Sequence, residues 1–142
     1  MIYTNIILEN STIRSAIILL NKQKIKTLIV VDKNRKLLGS ITDGDLRRGM
    51  LKKNSIGSPI KKIYNKKTIY LDHKQKIKSK EIINIFNKNN INIIPVVNSS
   101  KKIIKILNID QYEKTKIKET KINKINIPVC IMAGGKGSRL KP

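Results

Sequence analysis

The sequence predicts a mixed α/β (α+β) fold in which one small unit is used twice. Three observations carry this: helical apolar periodicity alternates with short β-branched runs, polar turns join those runs in pairs, and the pattern recurs 66 residues further on. The 142 residues suffice for two small repeats packed together. Apolar residues make up 39% of the chain, which favours a packed interior over disorder.

In chain order, Ser11 to Gln23 places Ile13, Ala16, Ile17 and Leu20 on one helical face, with Ser11 or Thr12 available as the cap. Thr27-Leu28-Ile29-Val30-Val31 is continuous and apolar, as in a strand buried on both faces. Asp32-Lys33-Asn34-Arg35 forms a turn, and Leu37 to Thr42 returns as a strand; so short a connection makes the pair antiparallel. Asp43 then caps a short helix, Gly44 to Leu51, whose apolar positions are Leu46 and Met50. After Gly57-Ser58-Pro59, Lys67 to Asp72 reads as extended chain and Lys78 to Asn89 as a helix carrying Ile82, Ile83, Ile85 and Phe86. Asn92 to Val97 is a strand, Asn98 to Lys101 a turn and Lys102 to Leu107 the last strand of the unit.

The 66-residue shift lays Ile17 on Ile83, Leu20 on Phe86 and Ile25 on Ile91, and it lays Leu28-Ile29-Val30-Val31 on Ile94-Pro95-Val96-Val97. Two such units, residues 1–57 and 58–113, can pack about a pseudo-two-fold axis, and the clefts between them are natural ligand sites. Gln111 to Asn126 is Lys-rich and weakly periodic, so residues 114–126 are expected to be a linker or a loosely docked arm. Ile127 to Met132 reads as a buried strand that leads into Gly-rich chain from Ala133 to Pro142.

The formal net charge is +22, but the lysines run along the whole chain and aromatic residues number only five, four Tyr and one Phe. That distribution fits solvated positions filled with Lys better than a base-stacking nucleic-acid surface. No specific nucleic-acid partner is expected, although such a charge attracts polyanions at low salt. The single cysteine, Cys130, cannot build a disulfide framework or a thiolate metal site, and His73 sits in a polar stretch as a surface residue. The N-terminus has no signal-peptide pattern and no apolar run reaches spanning length, so the expected location is cytoplasmic and no membrane partner is expected.

The first segment with chemistry is Gly39-Ser40-Ile41-Thr42-Asp43-Gly44-Asp45-Leu46, where a strand meets a helix. Helix-start amides favour a phosphate, Thr42 can donate its hydroxyl to the same group, and the Asp45 carboxylate can accept from both hydroxyls of a ribose. The simpler role is also open: Thr42 or Asp43 caps the helix and Asp45 adds favourable charge to its first turn.

Helix, strand ending Val30-Val31-Asp32, turn, then Leu37-Leu38-Gly39-Ser40-Ile41-Thr42-Asp43-Gly44-Asp45-Leu46-Arg47-Arg48 resembles a repeat of the cystathionine β-synthase (CBS) domain family. The resemblance spans Thr4 to Tyr112 and is strongest in the first repeat. It implies two β-α-β-β-α repeats, a homodimer, and AMP, ADP or ATP as ligand, with no cofactor required. It carries the phosphate and ribose roles to Thr42 and Asp45, and places Ile25 to Thr27, hence Ile25 and Thr27, at the adenine pocket. In the second repeat Thr42 maps to Asn108, Asp45 to Gln111 and Gly39 to Lys105, so a weak or empty second site is expected.

The last motif, Gly134-Gly135-Lys136-Gly137-Ser138-Arg139-Leu140 with Lys141-Pro142 behind it, resembles the opening loop of sugar-phosphate nucleotidyltransferases. There Gly134, Gly135 and Gly137 would bring backbone amides to a nucleoside triphosphate, and Arg139 would assist pyrophosphate departure. The resemblance implies a parent enzyme that continues past this chain and uses Mg²⁺; this chain holds only the first strand of that domain, has no metal site and would not catalyse alone. The module's expected partners are an adenosine nucleotide and its own downstream nucleotidyltransferase domain. The alternatives are a structural dimerisation module with empty clefts, or a catalytic-domain fragment whose only activity is that of its parent.

Overall fold

A computed structural model describes residues 5–52 and 54–112. The expected linker 114–126 and the segment 127–142, with Gly134, Gly135, Gly137 and Arg139, lie outside the described residues.

The first unit runs β1 (Ile6–Leu8), α1 (Ile13–Lys22), β2 (Thr27–Val31), β3 (Leu37–Thr42) and α2 (Asp43–Leu51). The second runs β4 (Leu71–Asp72), α3 (Ser79–Asn89), β5 (Ile93–Val97) and β6 (Ile103–Asn108), after which residues 109–112 turn helical. A 3-10 turn, Ile60–Lys62, lies between the units. Each unit has its own three-stranded sheet, in the orders β1-β2-β3 and β4-β5-β6. β1 is parallel to β2 and β4 to β5, because a helix returns the chain between them; β2–β3 and β5–β6 are antiparallel hairpins. The fold is therefore mixed α+β with two small sheets.

β5 and β6 occupy the positions of β2 and β3 displaced by 66 residues. The hairpin turns repeat down to single atoms. Asp32 Oδ1 accepts from the amides of Asn34 and Lys36, and Asn98 Oδ1 from those of Ser100 and Lys102. Arg35 (φ 61°) and Lys101 (φ 58°) are both left-handed, and each hairpin shifts register beside its turn. This is the three-residue hairpin loop closed by a left-handed residue and a bulge. The shift fails only at the first strand: Leu8 pairs with Val31 but Asp72 with Val97, so the β4–α3 connection is two residues longer than β1–α1.

Local chemistry starts the helices. The Thr12 hydroxyl accepts from the Ser15 amide at 3.1 Å, and α1 buries Ile13, Ala16 and Leu20. For α2 the expected cap is corrected by one residue: Thr42 is the N-cap, while Asp43 stands in the first turn and pairs with Arg47. Leu46 faces inward as expected, but Met50, expected on the same face, is 37% exposed, and Gly49 is buried in its stead. In the expected extended segment only Leu71–Asp72 is strand. As expected, His73 is a surface residue, 3.2 Å from the Asp72 carboxylate.

β2 is buried on both faces. Leu28 and Val30 pack with α1, α2 and Ile60 in the first core, while Ile29 and Val31 meet Ile93 in a layer between the units. The second core gathers Leu71, Ile82, Phe86, Ile94 and Leu107, with Tyr112 against Phe86. Burying each of these branched side chains contributes roughly 2 kcal/mol, so apolar area between the sheets holds the units together. Two backbone bonds related by the 66-residue shift add direction: Leu37 N–H donates to Lys101 O at 2.9 Å, and Ile103 N–H to Arg35 O at 3.2 Å.

The chain after Pro59 folds back on the first unit. Ile60 is fully buried in the first core, and Ser40 and Asn65 exchange both backbone bonds at 3.0 and 2.8 Å. Gly39 makes this approach possible, because a Cβ there would lie 2.3 Å from the Asn65 carbonyl oxygen.

Candidate functional site

A cavity of about 320 Å³ opens where the C-terminal end of β3 and the start of α2 face the second unit. Three segments build it: Thr27, Ile29, Ser40, Thr42 and Asp45 from the first unit, Asn65, Lys67, Thr68 and Ile69 from the connection, and Asn89 to Ile93 from the second unit. Thr27 and Thr42 are register partners on adjacent strands, which puts their side chains on the same side of the sheet. The apolar part of the wall is Ile29, Ile69, Ile91 and Ile93; the polar part includes four asparagines, Asp45 and Lys67.

Thr42 and Asp45 form a closed set at the start of α2. The Thr42 amide donates to Asp45 Oδ2 at 2.9 Å, and the Thr42 hydroxyl donates to the same oxygen at 2.7 Å. The Asp45 amide returns a longer bond to Thr42 Oγ1 at 3.3 Å. Arg48 Nη2 holds the other oxygen, Asp45 Oδ1, at 2.7 Å. This is a capping box with an added arginine. A carboxylate offers about four lone-pair sites, so Asp45 retains capacity toward the cavity. Opposite, Thr68 Oγ1 donates to Ser40 Oγ at 2.8 Å and ties the connection to β3. Tyr64, beneath that connection, is held protonated to higher pH than an ordinary tyrosine, first by burial and then by the charge of Glu9.

Thus Thr27, Thr42 and Asp45 come together, and Ile25 does not join them. Ile25 packs in the inter-unit layer and lines the second cleft, while Ile91, its partner under the 66-residue shift, lines the Thr42 cavity. Asn65, Lys67, Thr68 and the Asn89–Asn92 segment were missed from sequence; the shift that relates Ile25 to Ile91 was the available signal for the last of these.

The second cleft is lined by Lys24, Ile25, Lys26, Asn92, Ile109 and Asp110. Asn108 and Gln111 are not in that lining: Asn108 Oδ1 accepts from the Asp110 amide at 2.9 Å, and Gln111 is exposed. Asp110 is paired across the cleft with Lys24 at 3.0 Å. Among the described residues no group of His, Cys, Asp and Glu is arranged to hold a metal, and no helix is long and apolar enough to cross a membrane.

Residues 5–52 match the family model described as "CBS domain". An uncharacterized protein of Rickettsia prowazekii (strain Madrid E) is 32% identical over 95 residues, which is 67% of this chain and 29% of that protein; the chain spans under a third of the curated relative it matches. The CBS domain pair of protein MJ0100, solved in complex with 5-methylthioadenosine and S-adenosyl-L-methionine, superposes with a TM-score of 0.66 at 21% identity, covering 83% of this chain and 91% of that one. CBSX2 in complex with AMP superposes with a TM-score of 0.66 at 18% identity, covering 80% and 87%. The first unit thus matches the CBS-domain model, and the described residues have a fold similar to that of solved CBS pairs.

Proposed function

We propose that this CBS pair is a regulatory module that binds an adenosine nucleotide, of the AMP, ADP or ATP type, in the cavity beside Thr42. One observation carries the reading: Thr27, Thr42 and Asp45 line a single cavity of about 320 Å³ whose apolar wall is supplied by both units. That volume lies at the small end of ligand pockets, the size class of a mononucleotide. The positive end of α2, which begins at the cavity beside Thr42, favours a phosphate there, and the Thr42 hydroxyl can join by turning away from Asp45. Asp45 accepts from the ribose hydroxyls, and Ile29, Ile91 and Ile93 flank the base. The solved pairs with adenosine-type ligands support this choice of ligand.

Because the walls come from two units, a ligand that prefers one packing of β2 against β5 shifts that packing; differential affinity for two states is what makes binding regulatory. The Gly134-Gly135-Lys136-Gly137-Ser138-Arg139-Leu140 motif supports a nucleotidyltransferase domain as the regulated partner, with Mg²⁺ needed only there. The domain limits 1–57, 58–113, 114–126 and 127–142, a homodimer and a cytoplasmic location belong to the same proposal. For the second cleft, whose lining includes neither Asn108 nor Gln111 and whose Asp110 is paired with Lys24, the reading is weak or no occupancy.

Calorimetric titration of AMP, ADP, ATP and S-adenosylmethionine tests it. Loss of hydrogen bonds to a charged group predicts that Asp45→Ala weakens binding roughly 10- to 100-fold. No heat from any of the four, or equal affinity in Asp45→Ala checked for folding by circular dichroism, rejects it. The closed Thr42–Asp45 box favours a second reading, in which these residues only cap α2 and the pair is a dimerisation scaffold. Light scattering that finds the same dimer with and without nucleotide, together with silent calorimetry, selects that one.

A further inference from the structure

A second concavity, about 180 Å³, shares the Asp45 wall with the main cavity and is otherwise lined by Arg48, Gly49, Lys52, Asn54, Lys62 and Ile63. Asp45, Arg48, Gly49 and Lys52 are spaced by three, four and seven residues along α2, so they form one stripe on its surface. The chain around the 3-10 turn, which carries Lys62 and Ile63, lies against that stripe. Gly49 lets it come close: a Cβ there would be 2.9 Å from Ile63 Cγ2. The result is a groove that begins at Asp45 and runs along α2.

Its charge is one-sided. Arg48, Lys52 and Lys62 contribute three cations, and the one carboxylate in the lining, Asp45, already holds Arg48 at 2.7 Å. The main cavity, by contrast, has Lys67 as its one cation, set against the same Asp45. Arg48 also reaches the first turn of α2, since its Nη1 lies 3.4 Å from where a Gly44 Cβ would be. A phosphate at the α2 amides would therefore meet the Arg48 guanidinium, and a longer phosphate chain would continue toward Lys52 and Lys62. An oxyanion chain matches a groove lined by three cations and one carboxylate that already holds an arginine.

We infer that the groove between α2 and the 3-10 turn, lined by Arg48, Lys52 and Lys62, is a polyphosphate subsite that makes the module prefer nucleoside di- and triphosphates to monophosphates. This rests on the nucleotide reading of the main cavity and adds phosphate-chain length as its specificity.

The test is calorimetric titration of the full chain with adenosine, AMP, ADP, ATP and inorganic tripolyphosphate, in low salt to limit screening. The variants are Lys52→Ala/Lys62→Ala and, as a control for net charge, Lys74→Ala/Lys76→Ala, which lies off the groove. The expected result is ATP binding about tenfold or more tighter than AMP in the native chain. That ratio should fall to within about threefold in Lys52→Ala/Lys62→Ala and persist in the control. Equal affinity for AMP and ATP, a ratio that survives the groove substitutions, or one that falls equally in the control would overturn the subsite. If neither adenosine nor any nucleotide binds, the nucleotide reading fails by itself. Tripolyphosphate then judges the groove: binding lost with Lys52 and Lys62 upholds an oxyanion site, and no binding removes it.

Discussion

Gly39→Ala is expected to be among the most damaging single-methyl changes in this protein, and its size follows from the contacts. Gly39 has no positive φ, so conformational freedom is not what the position requires; space is. The added Cβ would lie 2.3 Å from the Asn65 backbone oxygen and 2.6 and 2.9 Å from two Tyr64 ring carbons. A backbone oxygen cannot rotate aside, and both Ser40–Asn65 backbone bonds hold the segment in place. Relief therefore means lifting the connection off β3. Overpacking costs about 1–3 kcal/mol. Loss of two backbone bonds adds about 0.5–1.5 kcal/mol each, for a total of roughly 2–6 kcal/mol. Total stabilities of domains are only about 5–15 kcal/mol, so the effect is large. Equilibrium urea unfolding measures it, with Lys105→Ala as the pseudo-equivalent control. Lys105 is exposed, and its substitution should change stability by under about 0.5 kcal/mol. Because Asn65, Lys67 and Thr68 ride on the same segment, Gly39→Ala should also weaken the proposed nucleotide binding. A Gly39→Ala midpoint equal to that of the native chain would refute the steric reasoning.

Two further outcomes test how the units are built. Ile60→Ala empties a fully buried site in the first core and should cost about 2–5 kcal/mol by urea unfolding, a loss foreign to a loosely held connection. Lys24→Ala removes the Lys24–Asp110 bridge, but Lys24 is 86% exposed; the cost should stay under about 1 kcal/mol and shrink further in high salt. A loss above about 2 kcal/mol would show that the second cleft is held shut by this pair rather than by apolar packing.

Much of the fold was legible because the repeat is written in apolar side chains. The runs Thr27–Val31 and Ile93–Val97 are strands at their expected places, to within a residue, since a short β-branched run bounded by polar turns has few other uses. The cap of α2 was read one residue late because Thr42 and Asp43 are adjacent capable caps, and only the Thr42–Asp45 bonds separate them. Met50 was misplaced for a related reason: in a nine-residue helix a glycine, Gly49, took the inward position that Ile63 fills.

The sequence alone determined the duplicated unit, its strands and helices, and the Thr42–Asp45 pairing at a helix start, because these depend on neighbours within a few residues and on periodicity. Tertiary structure decided the rest. It determined that residues past Pro59 return to the first unit's core, and that Ile91 rather than Ile25 faces Thr42. It placed Asp110 in the second cleft and aligned Arg48, Lys52 and Lys62 along one groove. Each of these juxtaposes residues distant in the chain. The approach of Ile91 to Thr42 and of Asp110 to Lys24 is set by how two buried β-sheet faces pack, and the places of Ile60 and Lys62 by the return of the chain to the first core; local propensity encodes neither.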